Sequence, residues 1–200
     1  MYAENKITSC ANCARCWNNF RNLTEEELEL INKNRYEATF KPSEIIIKQS
    51  SPASNAIFII SGLAKVYMEG YSGKNLILNL AEHSTLLAGP GAHVNARYTY
   101  SVAAITQVQA CFINFDTIRK VISANPGFAS GFIEDLSEKS FRLHQKILNL
   151  TQKKMHGRLA EALLYFADNI FRSDEFEMVL SRQELGEMTN MAKESVVRII

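Results

Sequence analysis

The hydrophobic positions of this chain change period part-way along it. From Tyr36 to Phe115 they fall in short β-branched or aromatic runs: Ile45–Ile47, Ile57–Ile60, Ala64–Tyr67, Leu76–Leu78, Val102–Ile105 and Val108–Ile113. Turn clusters such as Ser50–Asn55 and Glu69–Gly73 separate them, and short strands at this spacing predict a sandwich or barrel-like roll. Ahead of them, Thr24 and Glu27 form a capping box flanked by Leu23 and Leu28, which opens a helix. From Phe128 the period becomes helical. Phe132, Leu136, Ser140, Leu143, Ile147, Leu150 and Lys154 recur at threes and fours, a long narrow stripe. Such a stripe predicts a coiled-coil seam, with Phe132, Leu136, Leu143, Ile147 and Leu150 in a homodimer interface. The alternative is a helix packed on its own roll. Leu159, Leu163, Phe166 and Ile170 mark a further helix.

The last twenty residues, Ser181 to Ile200, read as two short helices joined by a tight turn. Ser181 and Glu184 form a second capping box, with Leu180 and Leu185 as its hydrophobic staple. Leu185 and Met188 give the first helix an apolar edge. Thr189, Asn190 and Met191 break the pattern, and Asn tolerates the left-handed conformation of sharp turns. In the second helix, from about Ala192, the spacing predicts Val196, Ile199 and Ile200 inside. Lys193, Glu194, Val197 and Arg198 are left outside. In a DNA major groove Arg pairs bidentately with guanine and Glu accepts from the cytosine amino group. A plain amphipathic hairpin with solvated charges is the alternative.

Composition sets few limits. Hydrophobic content of 46% and charged content of 22% describe a soluble globular protein. No apolar run approaches a membrane span, and the start is no signal peptide, so a cytoplasmic protein that engages no membrane is expected. Four cysteines in 200 residues are too few for a disulfide scaffold, so thiol or metal chemistry is expected instead. The net charge of +1 gives no hint of nucleic acid, and residues 151–200 hold seven Lys/Arg against eight Asp/Glu. Phosphate neutralisation drives DNA affinity, so this balance counts against DNA binding.

The motifs together resemble one family. Arg182-Gln-Glu-Leu-Gly-Glu-Met188 followed by Lys193-Glu-Ser-Val-Val-Arg198 is similar to the helix-turn-helix of the Crp/Fnr family of bacterial transcription regulators. Ile59-Ile-Ser-Gly-Leu-Ala-Lys-Val66 resembles that family's Gly-centred strand pair, and Asn125-Pro126 sits where its roll meets its dimer helix. The resemblance covers the chain from about Thr24 onward. It implies an α+β fold with a cyclic-nucleotide-binding-like β-roll over residues 24–126. A dimerisation helix follows over 127–152, then a winged helix-turn-helix over 153–200, with residues 1–23 as a Cys-bearing arm. It further implies a homodimer on a double-stranded DNA operator, with RNA polymerase as a further partner and no enzymatic activity. Lys193, Glu194 and Arg198 fall on base-contacting positions, Val197 where a small or polar residue is common, and Ser181 and Arg182 at the entry to the motif. The chain stops inside the second helix, so the family's wing, and any basic residues it carries, is expected beyond Ile200.

Two sensor chemistries follow from the resemblance. Cyclic-nucleotide binders of this family use a Gly-Glu pair and an Arg-Ser pair, since an Arg neutralises phosphate and a Glu accepts from the ribose. The matching segment runs from Leu86 to Ser101. Ala88 or Gly89 replaces the Glu, and Arg97 is out of register and followed by Tyr98, which argues against cAMP. Gly89, Gly91, Arg97, Tyr98, Thr99 and Ser101 remain candidates for another effector, with Gly89-Pro-Gly91 as an anion-binding turn or a plain connecting loop. The second chemistry is thiol-based. Cys10, Cys13 and Cys16 lie within seven residues of one another, and Cys111 lies in a segment like the strand that carries the fourth ligand in the oxygen-sensing Fnr branch. The resemblance thus implies a [4Fe–4S] cluster on these four thiols. The gap between the last two arm cysteines is shorter than in that branch, and structural zinc or no metal stay open. Among four histidines, His93 alone suits haem, on weak grounds. The competing readings are an effector-binding roll whose helical tail docks a protein, and a redox enzyme, for which no dinucleotide loop is present.

Overall fold

The computed structural model describes residues 17–87 and 95–200. Eight strands form two four-stranded antiparallel sheets. They are β1 (Arg35–Phe40), β2 (Ile45–Ile47), β3 (Asn55–Ser61), β4 (Ala64–Glu69), β5 (Asn75–Ala81), β6 (Leu86–Leu87), β7 (Ser101–Ala104) and β8 (Val108–Asn114). One sheet has the order β1-β8-β3-β6 and the other β2-β7-β4-β5. This is the roll that the strand spacing predicts. Helix α1 (Glu25–Lys33) precedes it, and α2 (Phe115–Ala124), α3 (Pro126–Gln152), α4 (Met155–Tyr165), α5 (Arg182–Thr189) and α6 (Lys193–Ile199) follow. A π-helical turn, Phe166–Phe171, extends α4. No helix among the described residues is long and apolar enough to cross a membrane.

The second sheet is buried on both sides, and the alternation along its strands shows how. Ala64 and Val66 of β4 join the core that holds Ile57, Ile59, Val108 and Ala110 of the first sheet. Tyr67, with Leu63 just ahead of β4, points the other way, into a second core with Leu159, Phe166, Leu185, Met188 and Val196. The same split separates Val102 and Ala104 from Ala103 on β7. Strands alternate faces residue by residue, so the roll holds its own core on one side and the C-terminal helices on the other. Strand β5 lies at the sheet edge. Tyr165 of α4 covers part of it, its hydroxyl accepting a hydrogen bond from the Leu80 amide at 3.3 Å.

At the end of the arm expected over residues 1–23, the chain packs on the roll. Trp17, Asn19 and Phe20 are buried, with the Trp17 ring 5.8 Å from Phe58, 5.7 Å from Phe128 and 6.0 Å from Phe132. Asn19 donates through Nδ2 to the Phe128 carbonyl at 2.7 Å. A Cβ on Gly131 would lie 2.1 Å from Asn19 Oδ1, so this close seat requires a glycine. Helix α2, which the strand and helix patterns of the sequence leave unassigned between them, is capped by Asn114, whose side chain accepts from the Asp116 and Thr117 amides.

The apolar stripe predicted on α3 divides between two faces of the helix. That helix starts as Asn125-Pro126 implies, with Asn125 capping the Phe128 amide at 2.9 Å. Phe132 is buried in its own roll, however, and Leu136 is half-buried against the same core. Only Leu143 and Ile147 of the predicted interface stand exposed, while Leu150 is half-buried. The helix therefore packs on its own roll at its start and presents a second apolar face. That face comprises Ile133 (63% exposed), Phe141 (62%), Leu143 (45%), Ile147 (51%) and Leu148 (53%).

Candidate nucleic-acid interface

The C-terminal helix pair is built from local signals. Ser181 Oγ accepts from the Glu184 amide at 3.2 Å while Glu184 Oε2 accepts from the Ser181 amide at 2.8 Å, closing the capping box of α5. Asn190 ends α5 in the left-handed conformation, with φ of 52°. Thr189, read as turn, is instead the last helical residue and is buried, its hydroxyl donating to the Leu185 carbonyl at 2.7 Å. The turn is tight enough that a Cβ on Gly186 would lie 2.6 Å from the Met191 carbonyl oxygen. Leu185, Met188 and Val196 are buried together and fix α6 on α5. Ile199 is half-buried, whereas Ile200 is exposed rather than inward.

The outer face of α6 matches the prediction. Lys193, Glu194, Val197 and Arg198 are all exposed on one side of a helix whose other side is anchored by Val196. Among the described residues, Lys193, Glu194 and Arg198 form no ion pair within the chain. Arg182 is exposed at the start of α5. Ser181 is exposed too, but its hydroxyl serves the cap, donating to Glu184 Oε2 at 2.8 Å. The acidic surplus of residues 151–200 is offset from outside, because Lys65 of β4 pairs with Glu184 at 2.7 Å.

The predicted effector segment looks different once folded. Gly89, Gly91 and His93 lie outside the described residues. The Arg97 guanidinium donates to the Ser50 carbonyl at 2.6 Å, and the buried Tyr98 donates through its hydroxyl to the Asn55 carbonyl at 2.6 Å. Ser101 is buried, donates to Glu69 Oε1 at 2.6 Å and accepts from the Gln49 amide at 2.9 Å. Hydrogen bonds from Lys48 first and Ser101 second hold the Glu69 carboxyl below its ordinary range. Thr99 is half-buried. Arg97, Tyr98 and Ser101 thus spend their polar groups seating the lead into β7, and they do not converge on an open cradle.

Of the thiol set, Cys10, Cys13 and Cys16 lie outside the described residues. Cys111 is buried on β8, opposite Glu37 of β1 and Phe58 of β3. Arg35 lies beside it, with Nη1 3.8 Å from Sγ and ion-paired to Glu37. Among the described residues no group of three or more His, Cys, Asp or Glu could hold a metal.

How the helix pair docks on the roll leaves no local pattern along the chain. Lys146 of α3 reaches the pair, donating to the Met188 carbonyl at 3.2 Å, and burial pushes its amine down to about 8 from 10.5. In the unfolded chain this amine keeps its proton up to about 10.5, so burying the charged form costs stability at every pH below about 8. That cost is relieved as pH rises from about 8 toward 10.5, where the unfolded chain binds the extra proton. Urea midpoints across this window are expected to rise in wild type relative to Lys146→Met. Parallel curves for the two proteins refute this account. A cleft of about 520 Å³ between roll and C-terminal domain is lined by Ile60, Leu63, Glu82, His83, Phe171 and Val179 among others.

Comparison with known proteins places this architecture. Residues 37–125 match the family model for the cyclic nucleotide-binding domain. FixK2 from Bradyrhizobium japonicum superposes with a TM-score of 0.75 at 16% identity, covering 82% of each chain. The fold is that of a solved Crp/Fnr-family regulator from Eubacterium rectale, which superposes with a TM-score of 0.78 at 14% identity over 92% of this chain and 84% of that one. In sequence, the chain is 23% identical to the cAMP-activated global transcriptional regulator CRP of Salmonella typhimurium, over 88% of the chain and 86% of the relative. It is also 23% identical to the transcriptional activator protein anr of Pseudomonas aeruginosa, over 88% of the chain and 74% of the relative. These relatives are transcription regulators and not enzymes.

Proposed function

We propose that this Crp/Fnr-type chain is a sequence-specific DNA-binding transcription regulator that acts as a homodimer. The observation that carries the reading is α6: Lys193, Glu194, Val197 and Arg198 are exposed on one face, and α5 holds the opposite face rigidly. Base-edge readout needs that arrangement, because side chains must project from an immobile helix into the groove. The partner copy covers the exposed face of α3. Ile133, Ser140 and Ile147 recur at sevens there, as do Phe141 and Leu148, which is the spacing of a two-helix seam. A two-fold protein requires a two-fold site, so DNA selected from a random pool by the full-length protein is expected to carry inverted half-sites about one helical turn apart. Recovery of unenriched sequence sinks the reading in favour of a tail that docks a protein.

For the signal, we propose a redox input through Cys10, Cys13, Cys16 and Cys111. Its support is the course of the chain after Cys16: Trp17 packs on Phe58, and Phe58 is the cross-strand neighbour of Cys111. The docked Trp17 therefore lies on the sheet face that carries Cys111, one residue after Cys16 in the sequence. Four thiolates suit an iron–sulfur cluster, which supplies an oxygen-labile centre when bound. Arg35 and Glu37 flank Cys111 on that face and would set its local charge. Protein purified without oxygen is expected to absorb broadly near about 400 nm, bleach in air and hold about four irons per chain. Colourless, iron-free protein redirects the search to a small effector of the roll.

A further inference from the structure

The C-terminal domain hangs from α3 by two extended residues, Lys153 and Lys154, with ψ of 141° and 165°. Such a link does not by itself fix an angle, so non-covalent ties between roll and helix pair must set the direction of α6. Among the described residues two charged ties link the C-terminal domain to the roll, Arg172 with Glu82 at 3.2 Å and Lys65 with Glu184, and the second of these reaches the helix pair itself. Lys65 Nζ lies 2.7 Å from Glu184 Oε1, while Glu184 Oε2 accepts from the Ser181 amide and hydroxyl, each at 2.8 Å. One carboxylate therefore closes the cap of α5 with one oxygen and joins it to the roll with the other.

Lys65 is itself well placed for this. It projects from β4 beside Tyr67, its ammonium 5.6 Å from the centre of that ring, and Tyr67 is buried in the core shared by roll and helices. The pair is neither open to solvent nor sealed from it, with side chains 22% and 25% exposed. Solvent screening is reduced there without the full penalty of burying two ions. From Glu184 the path to the DNA face is short and stiff: α5 carries α6 through Leu185, Met188 and Val196 and through the tight Gly186–Met191 contact.

We infer that Lys65 is a positioning residue for DNA recognition, acting from the roll through Glu184 to hold α5 and so aim the reading face of α6. The inference rests on the DNA-binding reading for its consequence, though not for the tie itself. It makes β4, beside the β5 strand on which α5 packs, one route by which a change in the roll reaches the recognition helix.

The test uses full-length protein with Lys65→Met, which keeps chain length and loses the charge, and Lys65→Arg, which restores the pair. Amide exchange is measured without DNA. Residues 182–189 are expected to exchange about tenfold faster in Lys65→Met, with β3 and β8 unchanged and Lys65→Arg close to wild type. Affinity is then read on a duplex selected by wild-type protein, and Lys65→Met is expected to bind about tenfold more weakly while remaining folded at the assay temperature. Unchanged exchange in α5, or equal or tighter binding by Lys65→Met, overturns the inference. If wild type selects no duplex, the regulator reading falls while exchange still decides whether Lys65 holds the helix pair.

Discussion

Arg198→Ala is expected to abolish discrimination between the selected operator and random DNA. A bidentate Arg–guanine pair contributes about 1–3 kcal/mol of discrimination, and a dimer makes the contact twice, so specific affinity should fall roughly 30-fold to 10⁴-fold. Arg198 is exposed in the last turn of α6, with Val196 buried behind it, so truncation removes the contact without opening a core. Stability should change by no more than about 0.5 kcal/mol. Fluorescence anisotropy on the selected and a scrambled duplex, at two salt concentrations, separates the possibilities. Equal losses on both duplexes would reduce Arg198 to a phosphate contact, and no loss on either would remove α6 from the interface.

The signals that proved legible in the sequence were local ones. Capping boxes at Thr24 and Ser181, the Asn125-Pro126 start of α3 and the left-handed Asn190 each depend on a few neighbouring residues. The exposed quartet of α6 was legible for the same reason. Elements fixed by distant contacts were not. Trp17 and Phe20 sit in a short 3-10 turn with no readable period, and their burial is decided by Phe58 and Phe128 far along the chain. Ser101 to Ala104 are buried on both faces, which the strand pattern showed only as apolar residues, because the cover comes from the C-terminal domain. Helix α2 did carry a usable signal, Asn114 as cap with Phe115, Ile118 and Val121 at threes, but it follows β8 without a break. The partners of the effector candidates were not legible either: Arg97 and Tyr98 donate to backbone carbonyls and Ser101 to Glu69, all distant in sequence.

The stripe on α3 shows the same limit, and its correction leads to the second large effect. One long helix carries two apolar faces, one met by its own roll through Phe128 and Phe132, the other exposed from Ile133 to Leu148. A period of threes and fours merges them, since residues three apart serve either face. Phe141→Asp combined with Ile147→Asp should therefore leave each protomer folded, because both side chains are exposed within it. In the dimer the substitutions place four carboxylates in an apolar seam. The lost burial of two large side chains per protomer removes about 1.5–3 kcal/mol each, and unpaired charge at the seam adds several more. Sedimentation equilibrium is expected to show a monomer at micromolar concentration where wild type is a dimer. Operator affinity should fall by more than about a hundredfold, since a monomer grips one half-site and neutralises half the phosphates. A double variant that still sediments as a dimer would place the two-fold contact elsewhere. A monomer that binds the full operator undiminished would show that α6 reads its half-site without a partner.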